Sequence, residues 1–317
     1  MSTQGYYVRG SKAIRGSVID ELEIERGRLD VAFQRAWDNS SRGAVVYVDP
    51  ANGLDTNDGL SWGTAVKTVA YAQLLCTSGR GDRIYCAPGT YAENIVITKD
   101  SVELVGFLDG GYDRPDFVGN AGIPLSVHAQ AVVVSHIRCA ATGAFVACQQ
   151  QGNGFFYEDC VFDGAGLDGL MLLPDLDDDS YTASEGIVSA SLFRGATAAG
   201  LRFKNPGPGV EGGVGPTDVE VRRCRFYSNG IDIADTDTAG SNDTTFLNCR
   251  VVDCDFMTRG GGVFVYVNLN AGGNNSGMLG GCRFNDTGLV AAQVVAPASV
   301  TLVGAFDAKG VVDASAF

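Results

Sequence analysis

The 317-residue chain has two histidines, His128 and His136, and nine cysteines with no pair at the CxxC spacing of a metal or redox site. Two imidazoles are too few for a histidine-built metal centre, and both lie in strand-like sequence, VHAQAVVVSH. An odd number of cysteines without paired spacing fits reduced thiols rather than a disulfide framework. No stretch reaches the roughly 18 apolar residues of a membrane span. The opening MSTQGYYVRGSKAIRG has no apolar run of signal-peptide length. P-loop, GxSxG elbow and phosphate-binding glycine loop are all missing, which removes the common nucleotide and serine-hydrolase signatures. The expectation is a chain made and kept in the cytoplasm, without membrane insertion and without a cofactor.

Basic charge is also scarce. The formal net charge is −14, and residues 1–43 hold seven Lys and Arg against six Asp and Glu. Subtraction from the totals of 23 and 37 leaves 16 against 31 in residues 44–317, about −15. Such a body repels phosphates, which argues against nucleic acid as a partner.

Glycine, by contrast, is abundant, 43 residues spread along a chain that is 45% hydrophobic and only 19% charged. That composition suits many short strands joined by tight turns. Residues 17–38 are the exception and read as a helix. Ser17 can cap it, and Leu22, Leu29 and Ala36 fall seven apart, with Val18 and Ala32 in the alternate slots. The pattern suits a short coiled coil that anchors or oligomerises residues 1–43; a helix packed on its own domain fits the same residues. NSSRG at 39–43 is a linker by composition.

After it, Val45–Val48 reads as a strand. It leads into an Asp/Asn/Gly-rich loop and then an amphipathic helix near Thr64–Leu75, with Val66, Ala70 and Leu74 on one side. Asp49, Asn52, Asp55, Asn57 and Asp58 offer oxygens for calcium. Their spacing is not that of an EF-hand, and Asx turns account for the same residues.

In GRGDRIYCAPGTYAENIVITKDSVELVG, residues 79–106, short strands are expected at Arg83–Cys86, Glu93–Thr98 and Val102–Val105, with corners at PGTY and KDS. The turns are too short for crossover helices, so the segment reads as one rung of a parallel β-helix. RGD at Arg80–Asp82 is then the turn before the first strand and not a receptor motif.

Downstream a repeat emerges. GFFYEDCVF, EGIVSASLF, DVEVRRCRF, DTTFLNCRV and SGMLGGCRF align Cys160, Ser191, Cys224, Cys249 and Cys282, with Phe162, Phe193, Phe226, Val251 and Phe284 two residues later. Residues two apart on a strand share a face, so stacked rungs predict a Cys/Ser ladder beside an aromatic ladder in the core. The offsets of 31, 33, 25 and 33 residues exceed a minimal coil. The surplus is expected in loops such as LLPDLDDDS (172–180) and NLNAGGNNSG (268–277).

VYVDPANGLDTNDG, the helix after it, GDRIYCAPGTYAENIVI and VELVG together resemble the opening of pectate-lyase-like right-handed β-helix proteins, and the C-x-F rungs resemble their repeats. The resemblance covers most of residues 45–306. It implies an all-β fold, a right-handed parallel β-helix over residues 44–317, with the first strand, loop and capping helix in 44–80 and coils in 81–317. A short N-terminal helix joined directly to such a solenoid resembles phage tail spikes and fibres, whose N-terminus anchors them to the particle. That resemblance implies a homotrimer, attached to other virion proteins through the N-terminal segment and located in the virion after assembly in the host cytoplasm.

Function is expected to be structural, a rod displaying loops for a host surface or glycan. The rival expectation is a polysaccharide-degrading spike using a carboxylate pair. Arg225, Arg250 and Arg283 follow the ladder cysteines and should point outward, as a contact stripe for an acidic glycan or a neighbouring subunit, or simply as solvated arginines paired with acids. Glycoside hydrolysis needs two carboxylates facing each other across a groove. Candidates are Asp235 and Asp237 (with Asp232) in GIDIADTD, Asp253 and Asp255 in VDCDF, and Glu158, Asp159 and Asp163 around Cys160.

Overall fold

The computed structural model describes residues 43–108, 113–164, 166–173, 183–204, 215–235, 246–257, 265–269, 275–285, 294–296, 299–304, 306–307 and 310–311. The expected helix 17–38 with Leu22, Leu29 and Ala36, residues 174–180 of the acidic loop, residues 270–274 of the glycine-rich insert and Asp237 lie outside the described residues. Residues 44–317 form one unit.

Each coil of this unit contributes one short strand to each of three sheets, of ten, ten and eight strands. The chain passes from β1 (Val45–Val48) to β2 (Arg83–Cys86) in sheet 1, then β3 (Gly89–Tyr91) in sheet 2 and β4 (Ile95–Ile97) in sheet 3. It returns to sheet 1 with β5 (Glu103–Gly106), which pairs in register with β2. This cycle repeats to Val300–Val303, every described pairing being parallel except the last, Phe306–Asp307 with Gly310–Val311. Ten strands at the usual inter-strand spacing make sheet 1 about 40–45 Å long. The architecture is the expected parallel β-helix.

Strand alternation explains the interior. Val46, Val48, Ile84, Cys86 and Leu104 are buried while their neighbours Tyr47, Tyr85 and Val105 are partly exposed, the period of two that one buried face requires. The apolar core runs continuously from Val46 to Val300.

Two local expectations change. The segment 79–106 is one full coil plus the start of the next: Gly89–Tyr91, expected as a corner, is the sheet 2 strand, and Glu103–Gly106 stacks on Arg83–Cys86. Helix α1 spans Val69–Leu75 and not Thr64–Leu75. Val66 bridges to Val48, and the Asp55 carboxylate accepts hydrogen bonds from the Lys67 and Thr68 amides at 2.9 and 3.0 Å. That segment is held extended until Thr68, whose side chain caps the helix by accepting from Tyr71 N. The buried face is then Val69, Ala72 and Gln73, and Leu74 is 72% exposed, because the register of the face moved with the start.

The corner from sheet 1 to sheet 2 is the most regular feature. From Ser135 onward it is two residues in each coil, the first left-handed: His136, Asp159, Ala190, Arg223, Asp253, Gly281 and Gly304 have φ between 49° and 63°. The second residue, where it is described, points inward: Ile137, Cys160, Ser191, Cys224, Cys254 and Cys282 are all buried. The thiols of Cys160, Cys224, Cys254 and Cys282 donate to a carbonyl of their own coil (Glu158, Arg222, Val252, Gly280) and to one of the preceding coil (Val134, Val188, Val221, Val251). Ser191 does the equivalent, donating to Ser189 O at 2.9 Å and accepting from Cys160 N at 3.1 Å. The Glu158, Arg222, Val252 and Gly280 carbonyls also accept an amide of the preceding coil, so the small side chain adds a further bond where two coils meet.

Two residues later, Phe162, Phe193, Phe226, Phe256 and Phe284 pair in register on sheet 2. Their centroids are 4.9, 4.7, 5.0 and 4.8 Å apart, with interplanar angles of 22° or less. Each such contact adds about 0.5–1.5 kcal/mol beyond the burial of the ring.

One rung of the expected ladder is corrected. Cys254 and Phe256 occupy the positions assigned to Cys249 and Val251, and Cys249 lies one corner earlier, at the start of sheet 1, where Val251 pairs with Val221. The cause is that the motif occurs twice per coil. Asn248 before Cys249 is also left-handed, with φ 52°, and the Cys249 thiol also donates to the carbonyl two residues back, Leu247 O. A left-handed residue followed by an inward one marks both corners, as at Ser101–Val102 and Asp218–Val219, and in this coil the inward residue of the other corner is also a cysteine, so DTTFLNCRV matches the pattern at the wrong one.

Candidate functional site

The RGD sequence is internal masonry. Asp82 is fully buried and accepts from Ala44 N, Thr77 N and Arg80 Nε, each at 2.6 Å, and from a second Arg80 nitrogen at 2.7 Å. Burial pushes its carboxyl up, but these bonds together hold it below the usual carboxylate range. Asp82 thus ties the beginning of the solenoid to the loop behind it.

The oxygen-rich loop behaves similarly. Asp49 accepts from Ala51 N, Asn52 N and Asn52 Nδ2, Asp55 from Lys67 N, Thr68 N and Thr68 Oγ1, and Asp58 from Leu60 N. Asn57 Nδ2 donates to Ala65 O at 2.8 Å. These side chains serve the loop's own amides and carbonyls, as Asx turns do. Among the described residues no three His, Cys, Asp or Glu side chains are grouped to hold a metal ion.

The arginine stripe divides. Arg225 and Arg283 sit on sheet 2 with Asp255 between them in register. Arg283 Nε is 2.9 Å and Arg225 Nε 3.9 Å from the Asp255 carboxylate, while the arginines remain 73% and 70% exposed. The carboxylate separates two like charges that would otherwise repel at strand spacing. Arg250 is corrected with its rung: it lies on sheet 1, between Glu220 and Met278. A second ionic row lies earlier on sheet 2, where Asp116, Arg138, Asp163 and Arg194 alternate through contacts of 2.6, 2.9 and 3.0 Å.

Among the described residues the carboxylate candidates stand on different elements. Asp235 ends a strand of sheet 3 and accepts from Asn275 Nδ2 at 2.8 Å, Asp253 is a left-handed corner residue between sheets 1 and 2, and Asp255 is on sheet 2. Asp159 occupies the corner near His136 and is clamped by Arg114, and Asp163 belongs to the ionic row. Asp232, on sheet 3, is buried, with Asn229 Nδ2 donating to Oδ1 at 2.9 Å. Burial pushes its carboxyl up to about 7, and the Asn229 bond opposes this only in part. Asn229 also accepts from Ala196 N and donates to Phe193 O, so it pins the corner between sheets 2 and 3. A Cβ on Gly200 would lie 2.8 Å from the Asn229 amide nitrogen, which is why glycine stands there.

All nine cysteines are buried and free. Burial pushes the Cys160 and Cys249 thiols up to about 12, the opposite of what a nucleophilic thiolate needs.

One cluster escaped the sequence reading. Tyr47, Trp62, Tyr85 and Phe107 form a row on the outside of sheet 1. The signal was present in VVYV and RIYC, where each tyrosine alternates with buried neighbours and must therefore face outward.

No protein-family model matches the sequence, and no match was found among curated proteins. Among solved structures the chain is similar to a pectin methylesterase in complex with a hexasaccharide, at 11% identity and a TM-score of 0.54, covering 86% of this chain and 91% of that one. It is also similar to the pectate lyase Pel9A, at 13% identity and TM-score 0.45, covering 87% and 82%. A tailspike protein of an Acinetobacter baumannii bacteriophage, a capsular polysaccharide depolymerase, aligns at 13% identity and TM-score 0.43, covering 84% of this chain and 49% of that one. The likeness is one of fold: the chain is a right-handed parallel β-helix.

Proposed function

We propose that the protein is a glycan-binding β-helix that serves as a structural component of a phage particle, as a tail spike, fibre or decoration protein. The observation that carries this reading is the in-register parallel pairing of successive coils, shifted in sheet 1 only between Leu247 and Cys249 among the described residues. The core stack and the ionic rows lock successive coils together, so the outer side chains form straight rows at strand spacing. Such rows suit an extended polymer laid along the rod better than a small molecule enclosed in a pocket. In this reading residues 1–43 attach the rod to the particle and bring three copies together, and the tailspike likeness supports it as an analogy of fold.

The test has two parts. Antibody labelling of purified particles should place the chain on the virion, and its mass in solution should be three times 33.1 kDa. Incubation with purified bacterial capsular polysaccharides and lipopolysaccharides should give co-sedimentation without new reducing ends or unsaturated sugars. New ends would move the protein to the polysaccharide-degrading class; absence from particles would remove the virion role.

A further inference from the structure

Four aromatic rings lie outside sheet 1 where the solenoid begins. Tyr47 and Tyr85 are register partners with centroids 5.9 Å apart and rings within 22° of parallel. Trp62, carried on the short turn Trp62–Thr64, is 4.8 Å from Tyr47 and 5.4 Å from Phe107. The row therefore runs Tyr85, Tyr47, Trp62, Phe107, and Trp62 and Phe107 are 40% and 44% exposed.

Anchoring of the loop does not account for the indole. Tyr47 N donates to Gly59 O, Val66 N to Tyr47 O and Gly59 N to Thr64 O, and Asp55 and Asp58 take four further donors. That network fixes the loop on sheet 1 through its backbone, and leaves the rings rigidly placed with a broad apolar face in water. Rigid aromatic faces bind with little loss of rotamer freedom.

A pyranose ring matches such a surface. One face presents polarised C–H groups to the negative face of an aromatic ring, and both surfaces leave water on contact. Its rim of hydroxyls needs polar partners. Arg83 and Glu103, register partners joined at 2.5 Å, stand on the same outer face two residues before Tyr85 and Val105. The acidic body disfavours a polyanion at this surface.

We propose that Tyr47, Trp62, Tyr85 and Phe107 form a platform on which neutral hexose or N-acetylhexosamine rings stack. The proposal rests on the glycan-binding reading above and adds its site and its sugar class.

The chain holds two tryptophans, Trp37 and Trp62, so a Trp37→Phe variant of the full chain reports on Trp62 alone. Acrylamide should quench its fluorescence readily, and at least one of maltohexaose, cellohexaose and chitohexaose should shift the emission and protect the indole, whereas hexagalacturonate should not. By calorimetry, Trp62→Ala should weaken the responding sugar about tenfold or more, and Trp62→Phe should stay within about threefold. Both variants should keep the parent's circular dichroism and melting temperature. An indole already shielded before sugar is added, no response to any neutral hexasaccharide, tighter binding of hexagalacturonate, or unchanged affinity in a folded Trp62→Ala protein would each overturn the platform. Co-sedimentation of bacterial polysaccharides equally with parent and Trp62→Ala would do so while leaving the glycan-binding reading intact. No co-sedimentation with the parent would remove both.

Discussion

The corner from sheet 1 to sheet 2 and the connections from sheet 3 back to sheet 1 belong to the same coils but follow different rules. From Ser135 onward the first is two residues, a left-handed one and an inward one that from Cys160 to Cys282 is a cysteine or serine, while the second varies from residues 128–132 to residues 204–219. The difference is physical. From Cys160 to Cys282 the short corner is fixed by hydrogen bonds to carbonyls of two coils and by the ring stack that follows it, so these coils solve it the same way. The connection from sheet 3 to sheet 1 has no fixed length, and closing a longer loop costs only about 0.6 kcal/mol per doubling of its length.

The sharpest way to break this contrast is to insert one glycine at each place. Between Arg223 and Cys224 the insertion turns every later inward side chain of that strand outward, and we expect loss of soluble folded protein. After Lys204, in the long connection, the same insertion should cost less than about 1 kcal/mol by urea unfolding. Comparable outcomes at the two sites would end the distinction. Next in size, Phe226→Ala removes the middle ring of the stack and should cost about 3–5 kcal/mol, whereas Tyr227→Ala, its half-exposed neighbour on the other face, should cost well under half of that.

A smaller effect depends on pH. Asp232 has its carboxyl pushed up to about 7 by burial, above its unfolded value, so the folded state holds the proton more tightly. Its favourable contribution is complete below about pH 4 and is lost as pH rises through about 7. The non-ionising Asp232→Asn should therefore gain stability relative to the parent by about 1–3 kcal/mol between pH 4 and pH 8, read as the difference in urea midpoints. A constant difference across that range would contradict the buried, only partly compensated carboxylate. Smallest of all, Arg283→Ala removes an exposed partner of Asp255 and should change stability by less than about 1 kcal/mol, less still at high salt.

The same contrast governs what could be read beforehand. The solenoid, the inward Cys and Phe positions and the strand of VVYV were legible because period-two alternation and a recurring short corner leave a dense local signature. Cys249 and Arg250 were misplaced because two different corners share that signature, and the register with the preceding coil, Glu220 against Arg250, separates them. α1 began later than its pattern suggests because a carboxylate twelve residues away, Asp55, holds the backbone at Lys67 extended. The aromatic platform needed Trp62 and Phe107 from separate segments to meet, and the carboxylates needed their sheets assigned before any pairing could be judged. Contacts of that kind depend on the third dimension and leave no trace in spacing.

The nine buried thiols run from Cys76 to Cys282, along the whole axis of the rod. A reagent such as dithionitrobenzoate can reach one of them only when its own coil parts from its neighbours. Colour development, followed peptide by peptide, would therefore be a stopwatch for local unzipping, showing from which end the rod frays and how far a breach travels before it heals.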